Sequence, residues 1–92
     1  MAQETLQVKI QSPRQILFEG NAIAVSSTNF EGKFDILPQH ANFMTIIEDK
    51  PIIVLREDNQ KIEFNFDQAI IVQSKNYVSI YADPQISALG LK

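Results

Sequence analysis

The stretch Leu6-Gln7-Val8-Lys9-Ile10-Gln11 alternates apolar and polar side chains at every step. A period of two is typical of a β-strand that buries one face and exposes the other. The same alternation recurs at residues 61–66 and 77–82. The chain also contains 13 Ile and 5 Val against 6 Leu, and β-branched residues favour strands over helices. These stretches therefore predict β-strands.

Short turn signals separate the apolar runs, and turns at intervals of roughly 8–12 residues are typical of a sandwich or barrel built of hairpins. No stretch shows a convincing apolar stripe at helical spacing. We predict an all-β fold, with two packed, mostly antiparallel sheets forming a sandwich of about ten short strands. The turn signals are Ser12-Pro13-Arg14, Phe18-Glu19-Gly20-Asn21, Asn29-Phe30-Glu31-Gly32, Glu57-Asp58-Asn59-Gln60 and Ser74-Lys75-Asn76.

Length and composition exclude several classes of protein. The 92 residues fit one domain, since single domains commonly have about 100–150 residues. A formal charge of −3 argues against a basic face for nucleic acid. The absence of cysteine excludes disulfides, thiolate metal sites and cysteine nucleophiles. Because no apolar run approaches about 18 residues and the N-terminus lacks a signal-peptide pattern, we expect a soluble intracellular domain.

The reactive residue types form no constellation that predicts catalysis. The three glycines are isolated, so no phosphate-binding loop is present. His40 is the only histidine, and it fits a loop residue that forms hydrogen bonds or packs at an interface better than a general base. The acidic pairs Glu48-Asp49 and Glu57-Asp58 fit solvated turns better than a calcium site. We therefore predict no catalytic residue, no metal and no cofactor.

Three runs, at residues 43–47, 52–55 and 69–72, are apolar on both faces of a strand. A small sandwich normally buries one face of each strand and exposes the other to water. The runs fit central strands with loops folded over them or scattered exposed isoleucines. They equally fit an outer face that another protein covers, because large apolar patches usually mark interfaces.

The segment Glu31-Gly32-Lys33-Phe34-Asp35-Ile36-Leu37-Pro38-Gln39-His40-Ala41 combines a turn glycine, a short apolar strand and a proline that halts strand pairing. It closely resembles the Glu-Gly-x-Phe-Gly-Ile-Leu-Pro-x-His-Ala motif of the epsilon subunit of rotary proton-translocating ATP synthases. The flanking runs Leu17-Phe18-Glu19-Gly20 and Val78-Ser79-Ile80-Tyr81-Ala82-Asp83 also resemble that family. The resemblance covers roughly residues 5–84, nearly the entire chain.

This chain departs from the family pattern at three places. Asp35 replaces a glycine, and Asn42 replaces a proline that commonly follows His-Ala. Both replacements tolerate turn geometry better than most residues do. Asp67-Gln68-Ala69 stands where the family has a Gly-Gly turn, which changes the expected local turn.

The resemblance also implies a domain division. Residues 1–84 correspond to the family's β-sandwich domain, and residues 85–92 form a tail where its C-terminal helical hairpin would begin. Family hairpins can inhibit ATP hydrolysis and in some bacteria bind ATP. We expect this chain to bind no ATP and to insert no inhibitory helix.

By resemblance, the chain is a non-catalytic rotor subunit of the central stalk that joins the gamma subunit to the membrane c-ring and supports coupling of proton flow to ATP synthesis. Its partners would be gamma, the c-ring polar loops and the rest of the complex, without nucleic acid. It would lie at the cytoplasmic face of the bacterial plasma membrane, with membrane contact only through partners. The alternative is a stand-alone β-sandwich module that binds protein or ligand. The matching positions are Phe30, Glu31, Gly32 and Lys33 for the c-ring, and Ser12, His40, Ala41, Asn42, Phe43 and Met44 for gamma.

Overall fold

The computed structural model describes residues 4–39 and 42–82. This part of the chain forms nine β-strands and no helix, which confirms the prediction of an all-β sandwich with about ten strands. The strands are β1 (Leu6–Gln11), β2 (Ile16–Ala22), β3 (Ala24–Asn29), β4 (Gly32–Ile36), β5 (Phe43–Glu48), β6 (Pro51–Leu55), β7 (Lys61–Asn65), β8 (Gln68–Ser74) and β9 (Tyr77–Ala82).

The strands form two sheets. The first sheet has five strands in the order β2-β1-β9-β8-β5, and the second has four in the order β4-β3-β6-β7. All neighbours are antiparallel except β1 and β9, which run parallel with Gln11 opposite Tyr81. The end of β9 therefore lies beside the turn that joins β1 to β2.

The core lies between the two sheets and is built from the inward positions of the strands. Leu6, Val8 and Ile10 are all fully buried, as the alternation in β1 predicts. Aromatic rings close the edges of this core, with Phe18 against Phe64 at 5.6 Å and Phe34 against Phe43 at 5.4 Å between ring centroids. The other buried apolar side chains are Ala22, Val25, Ile36, Ile47, Ile52, Val54, Ala69, Ile71, Val78, Ile80 and Ala82.

The acidic pairs lie at turns, as predicted. Asp49 adopts a left-handed backbone (φ 58°) between β5 and β6, and Asp58 Oδ1 accepts a hydrogen bond from the Gln60 N–H at 3.1 Å. The Asp67 carbonyl accepts one from the Asp49 N–H at 3.0 Å. Asp67 thus joins the turn between β5 and β6 to the turn between β7 and β8. In the described residues, no group of three or more His, Cys, Asp or Glu side chains could hold a metal ion.

Two predictions fall on other parts of the chain. The domain boundary at residue 84 and the tail 85–92 lie outside the described residues.

Within residues 4–39 and 42–82, no helix is long and apolar enough to span a membrane.

Candidate interaction surface

The outer face of the first sheet carries a row of apolar side chains, of which Val72 is half-buried and the others are exposed. Strand register places Met44 opposite Val72 and Ile46 opposite Ile70, and Ile70 in turn lies opposite Tyr81. Met44 is 71% exposed and Ile46 is 47% exposed. We call these five residues, which span β5, β8 and β9, the apolar strip.

The apolar strip accounts for two of the three runs that are apolar on both faces, those at residues 43–47 and 69–72. In β5, Phe43, Thr45 and Ile47 point inward, so the intervening residues Met44 and Ile46 point to solvent. No described loop covers Met44, Ile46 or Ile70, each of which remains exposed. Because each of these side chains is exposed only in part, covering it would add roughly 0.6–2 kcal/mol of burial free energy. The strip therefore fits an interface better than loops folded over central strands.

The outer face of the second sheet differs in character. Ser26 lies opposite Asp35 there, and its hydroxyl donates a hydrogen bond to the Asp35 carboxylate. Across β6 and β7, Ile53 lies opposite Glu63, and Leu55 opposite Lys61. Because both apolar residues on this face are half-buried beside polar neighbours, the second sheet has no matching strip.

Two shallow depressions flank the strip and share Ile46 and Ile70. One extends to Ser12, Pro13 and Tyr81, and the other to Phe30, Glu31 and Met44. The structure therefore brings Met44, which is predicted to face gamma, close to Phe30 and Glu31, which are predicted to face the c-ring. The two predicted contact regions adjoin on one face.

Ser12 has a structural task of its own. Its Oγ accepts hydrogen bonds from the Arg14 and Gln15 N–H groups, both at 3.3 Å. It is only 9% exposed. Ser12 thus shapes the turn at the border of the strip, while its neighbour Pro13 is exposed.

The residues around the start of β5 have different orientations. Asn42 is exposed just before the strand, and Met44 is exposed within it. Phe43 is half-buried and packs against the core. His40 and Ala41 lie outside the described residues. Of the four described positions matched to gamma, Asn42 and Met44 are exposed, whereas Ser12 is buried and Phe43 is half-buried.

The turn between β3 and β4 is held by Asn29. Asn29 Oδ1 accepts a hydrogen bond from the Glu31 N–H at 2.8 Å, and its Nδ2 donates one to Thr45 Oγ1 at 2.9 Å. The turn presents Phe30, which is 87% exposed. Lys33 lies opposite Thr28 on the outer face of the second sheet, away from the strip. Asn29 therefore fixes Phe30 and Glu31 relative to β5.

Gly32 gives this turn a backbone conformation that residues with a side chain rarely adopt. Its φ is 118°, and an added Cβ would meet no atom within 4 Å. The cost of Gly32→Ala should therefore come from backbone strain alone, and we expect a loss of about 1–2 kcal/mol of unfolding free energy. Urea denaturation of the purified variant measures this loss.

Gly20→Ala is the matched control. Gly20 lies in β2, and its added Cβ would come 3.4 Å from Phe18 Cζ, an ordinary contact. No left-handed φ is required there, so this substitution should not destabilise the domain and is expected to raise the unfolding free energy by about 0.4–1 kcal/mol. Equal urea midpoints for the two alanine variants would show that the Gly32 backbone carries no strain penalty.

Several contributors to the surface have only weak sequence signals. Ile46 and Ile70 belong to strands that are apolar on both faces, so their outward side cannot be assigned until the register is known. Asn29 could have been identified from its turn position, because Asn side chains often bond the backbone two residues on. Its bond to Thr45 depends on the packing of the two sheets and has no sequence signal.

Fold and surface together define a class: a small two-sheet β-sandwich with one exposed apolar face, as expected of a subunit in a larger assembly. The chain belongs to the ATP synthase delta/epsilon chain family, whose beta-sandwich domain model matches residues 5–88. This membership confirms the resemblance seen in the sequence. It agrees with the prediction of an accessory subunit of ATP synthase that is not an enzyme by itself.

Curated relatives and solved structures agree with this assignment. The ATP synthase epsilon chain of Rickettsia felis is 30% identical over 90 residues, covering 96% of this chain and 80% of the relative. The epsilon chain of Nitratiruptor sp. is 29% identical over 87 residues, covering 95% and 67%.

The fold is similar to chains in two cryo-EM structures of mitochondrial ATP synthases. The Euglena gracilis OSCP/F1/c-ring structure matches with a TM-score of 0.80 at 12% identity, covering 87% of this chain and 51% of that one. The Tetrahymena thermophila central stalk/c-ring structure matches with a TM-score of 0.69 at 12% identity, covering 90% and 66%. This chain thus spans about half the length of the Euglena chain.

Proposed function

We propose that the chain is a non-catalytic rotor subunit in the central stalk of ATP synthase, where it joins the gamma subunit to the c-ring. The observation that carries the proposal is the exposed apolar strip on one sheet of a delta/epsilon-family domain. Coupling requires that torque pass through the joint without deforming it. A close-packed sandwich suits this role because protein interiors have low compressibility.

Gamma is the partner that we assign to the apolar strip. Met44 is matched to gamma by its position after the motif. It is also the most exposed residue of the strip. Ser12 and Pro13 border the same depression as Ile46 and Tyr81. Burial of the strip would supply the apolar centre of a protein interface, and the polar residues beside it would form the rim.

The c-ring is the partner that we assign to the turn at Phe30 and Glu31. Asn29 pins this turn to β5 through Thr45, so Phe30 and Glu31 are presented with little freedom to lose on binding. Glu31 is exposed and charged, and it suits the polar loops expected of the c-ring. Since the turn adjoins the strip, the two partners would meet the sandwich side by side.

This assignment implies a location at the cytoplasmic face of the bacterial plasma membrane. The chain would be held there through gamma and the c-ring, with no lipid contact of its own. It would need no cofactor, because its work is mechanical.

Titration of the purified chain with the gamma subunit of the same organism tests the proposal. We expect a one-to-one complex by calorimetry and size-exclusion chromatography, and we expect the complex to bind detergent-solubilised c-ring more tightly than gamma alone does. A chain that stays separate from gamma at tens of micromolar would contradict the proposal. It would favour the stand-alone binding module instead.

A further inference from the structure

We infer that Gln73 and Asn76 are positioning residues for partner binding, a role that rests on the proposed function. Both belong to the region where β8 turns into β9. Neither is part of the apolar strip, yet their side chains hold the segment Leu37–Gln39, which leaves β4 and leads towards β5. We call this pair the Gln73–Asn76 latch.

Gln73 is an unusual residue for the inner face of a sheet. It is only 2% exposed, among apolar core residues. Its Nε2 donates hydrogen bonds to the Leu37 carbonyl at 3.3 Å and to the Lys75 carbonyl at 3.0 Å. A buried amide without partners is costly, so both carbonyls must stay in place for Gln73 to be tolerated. Gln73 therefore ties Leu37 to the β8–β9 turn.

Asn76 holds the other end of the same segment. Its Oδ1 accepts a hydrogen bond from the Gln39 N–H at 2.7 Å. Gln39 has φ 66°, a conformation that costs free energy for most residues other than glycine and asparagine. The hydrogen bond offsets that cost. The Asn76 carbonyl also accepts one from the Gln7 N–H at 2.7 Å, which fixes the turn to β1.

The latch acts on binding through the strand that follows. The segment Leu37–Gln39 follows β4, and Gln73, which holds it, lies opposite Phe43 at the start of β5. Strand β5 carries Met44 and Ile46 of the strip. If the segment were free, part of the binding free energy would be spent on ordering it. The latch orders it before gamma arrives. Its loss should therefore weaken binding without removing any direct contact.

Asn76→Ala tests the latch, with Asn76→Asp as the matched control that keeps an acceptor oxygen. In the isolated chain, we expect the Gln39 amide to exchange with solvent about 3–10-fold faster in Asn76→Ala, as loss of one hydrogen bond implies. Affinity for gamma should fall about 3–10-fold, while the variant remains fully folded in the absence of urea and still unfolds cooperatively, with a midpoint lowered only by the loss of one hydrogen bond. Asn76→Asp should match the wild type in both measurements.

Each outcome decides the inference. Unchanged exchange at Gln39 in Asn76→Ala would overturn it, and so would faster exchange with unchanged affinity for gamma. A drop in affinity in an Asn76→Ala variant that is partly unfolded without urea would reduce Asn76 to a structural residue. The exchange measurement needs no partner, so it stays informative if the wild type fails to bind gamma. That failure would overturn the proposed function and, with it, the role of the latch in binding.

Discussion

Ile46→Asp is expected to weaken binding of the chain to gamma by at least about 100-fold. Ile46 lies in the middle of the apolar strip, opposite Ile70, and it borders both depressions. Because Ile46 is 47% exposed, its remaining burial in an interface is worth roughly 0.7–1.4 kcal/mol, and an uncompensated buried carboxylate costs about 3–5 kcal/mol more. Together these exceed the roughly 2.7 kcal/mol that correspond to 100-fold in affinity. Calorimetric titration with purified gamma measures the change.

Ile53→Asp is the matched control for this prediction. It makes the same chemical change at an outward position on β6, in the second sheet, where Ile53 lies opposite Ser26 and Glu63. We expect affinity for gamma within about threefold of the wild type, since no partner is assigned to that face. Equal losses for both variants would mean that gamma does not bind the strip specifically. Circular dichroism of both variants confirms that the sandwich has formed.

Most of the fold could be predicted because its strands obey strict alternation. In β1, the apolar positions Leu6, Val8 and Ile10 are the buried ones, so side-chain pattern and burial agree residue by residue. The turns could be located from Gly, Asn, Asp and Pro. The parallel pairing of β1 with β9 could not be predicted, since sequence pattern carries no information on which distant strands become neighbours.

The orientation of β5 could not be read from its pattern. From residue 43 to 47 only Thr45 is polar, and it points inward, where its hydroxyl accepts a hydrogen bond from Asn29. Where both faces are apolar, the period of two disappears and inward and outward positions cannot be distinguished. The sequence therefore indicated an apolar surface near β5 without showing which side chains form it.

Gln73 shows the converse limit. A polar residue in a strand normally predicts a solvent-facing position, but Gln73 is buried because two backbone carbonyls at the end of the sandwich need a donor. Those acceptors belong to Leu37 and Lys75, and the former is distant in sequence. Such a site depends on the tertiary arrangement, so no local pattern predicts it.

Phe43→Asp is expected to destabilise the sandwich by more than about 3 kcal/mol, the largest effect on stability among the variants considered. Phe43 packs against the core, with its ring centroid 5.4 Å from that of Phe34. Truncating a fully buried phenylalanine typically costs about 3–5 kcal/mol; the half-buried Phe43 contributes less than that, and the lost solvation of a carboxylate placed there adds to the cost. The total unfolding free energy of a domain is on the order of 5–15 kcal/mol, so this loss would unfold a measurable fraction of the molecules if the domain lies at the low end of that range. Urea denaturation followed by circular dichroism measures the loss.

Met44→Asp, one residue further along β5, should leave the fold nearly as stable as the wild type but weaken binding to gamma. Met44 is 71% exposed, so its replacement should cost no more than about 1 kcal/mol of stability, while affinity for gamma falls as it does for Ile46→Asp. The two neighbours thus separate folding from binding, because successive side chains of a strand point to opposite faces. A stable Phe43→Asp variant with weakened gamma binding would reverse this assignment and place Phe43 in the interface. Similar destabilisation by both variants would show that Met44 also supports the fold, and the strip would then lose its outermost contact.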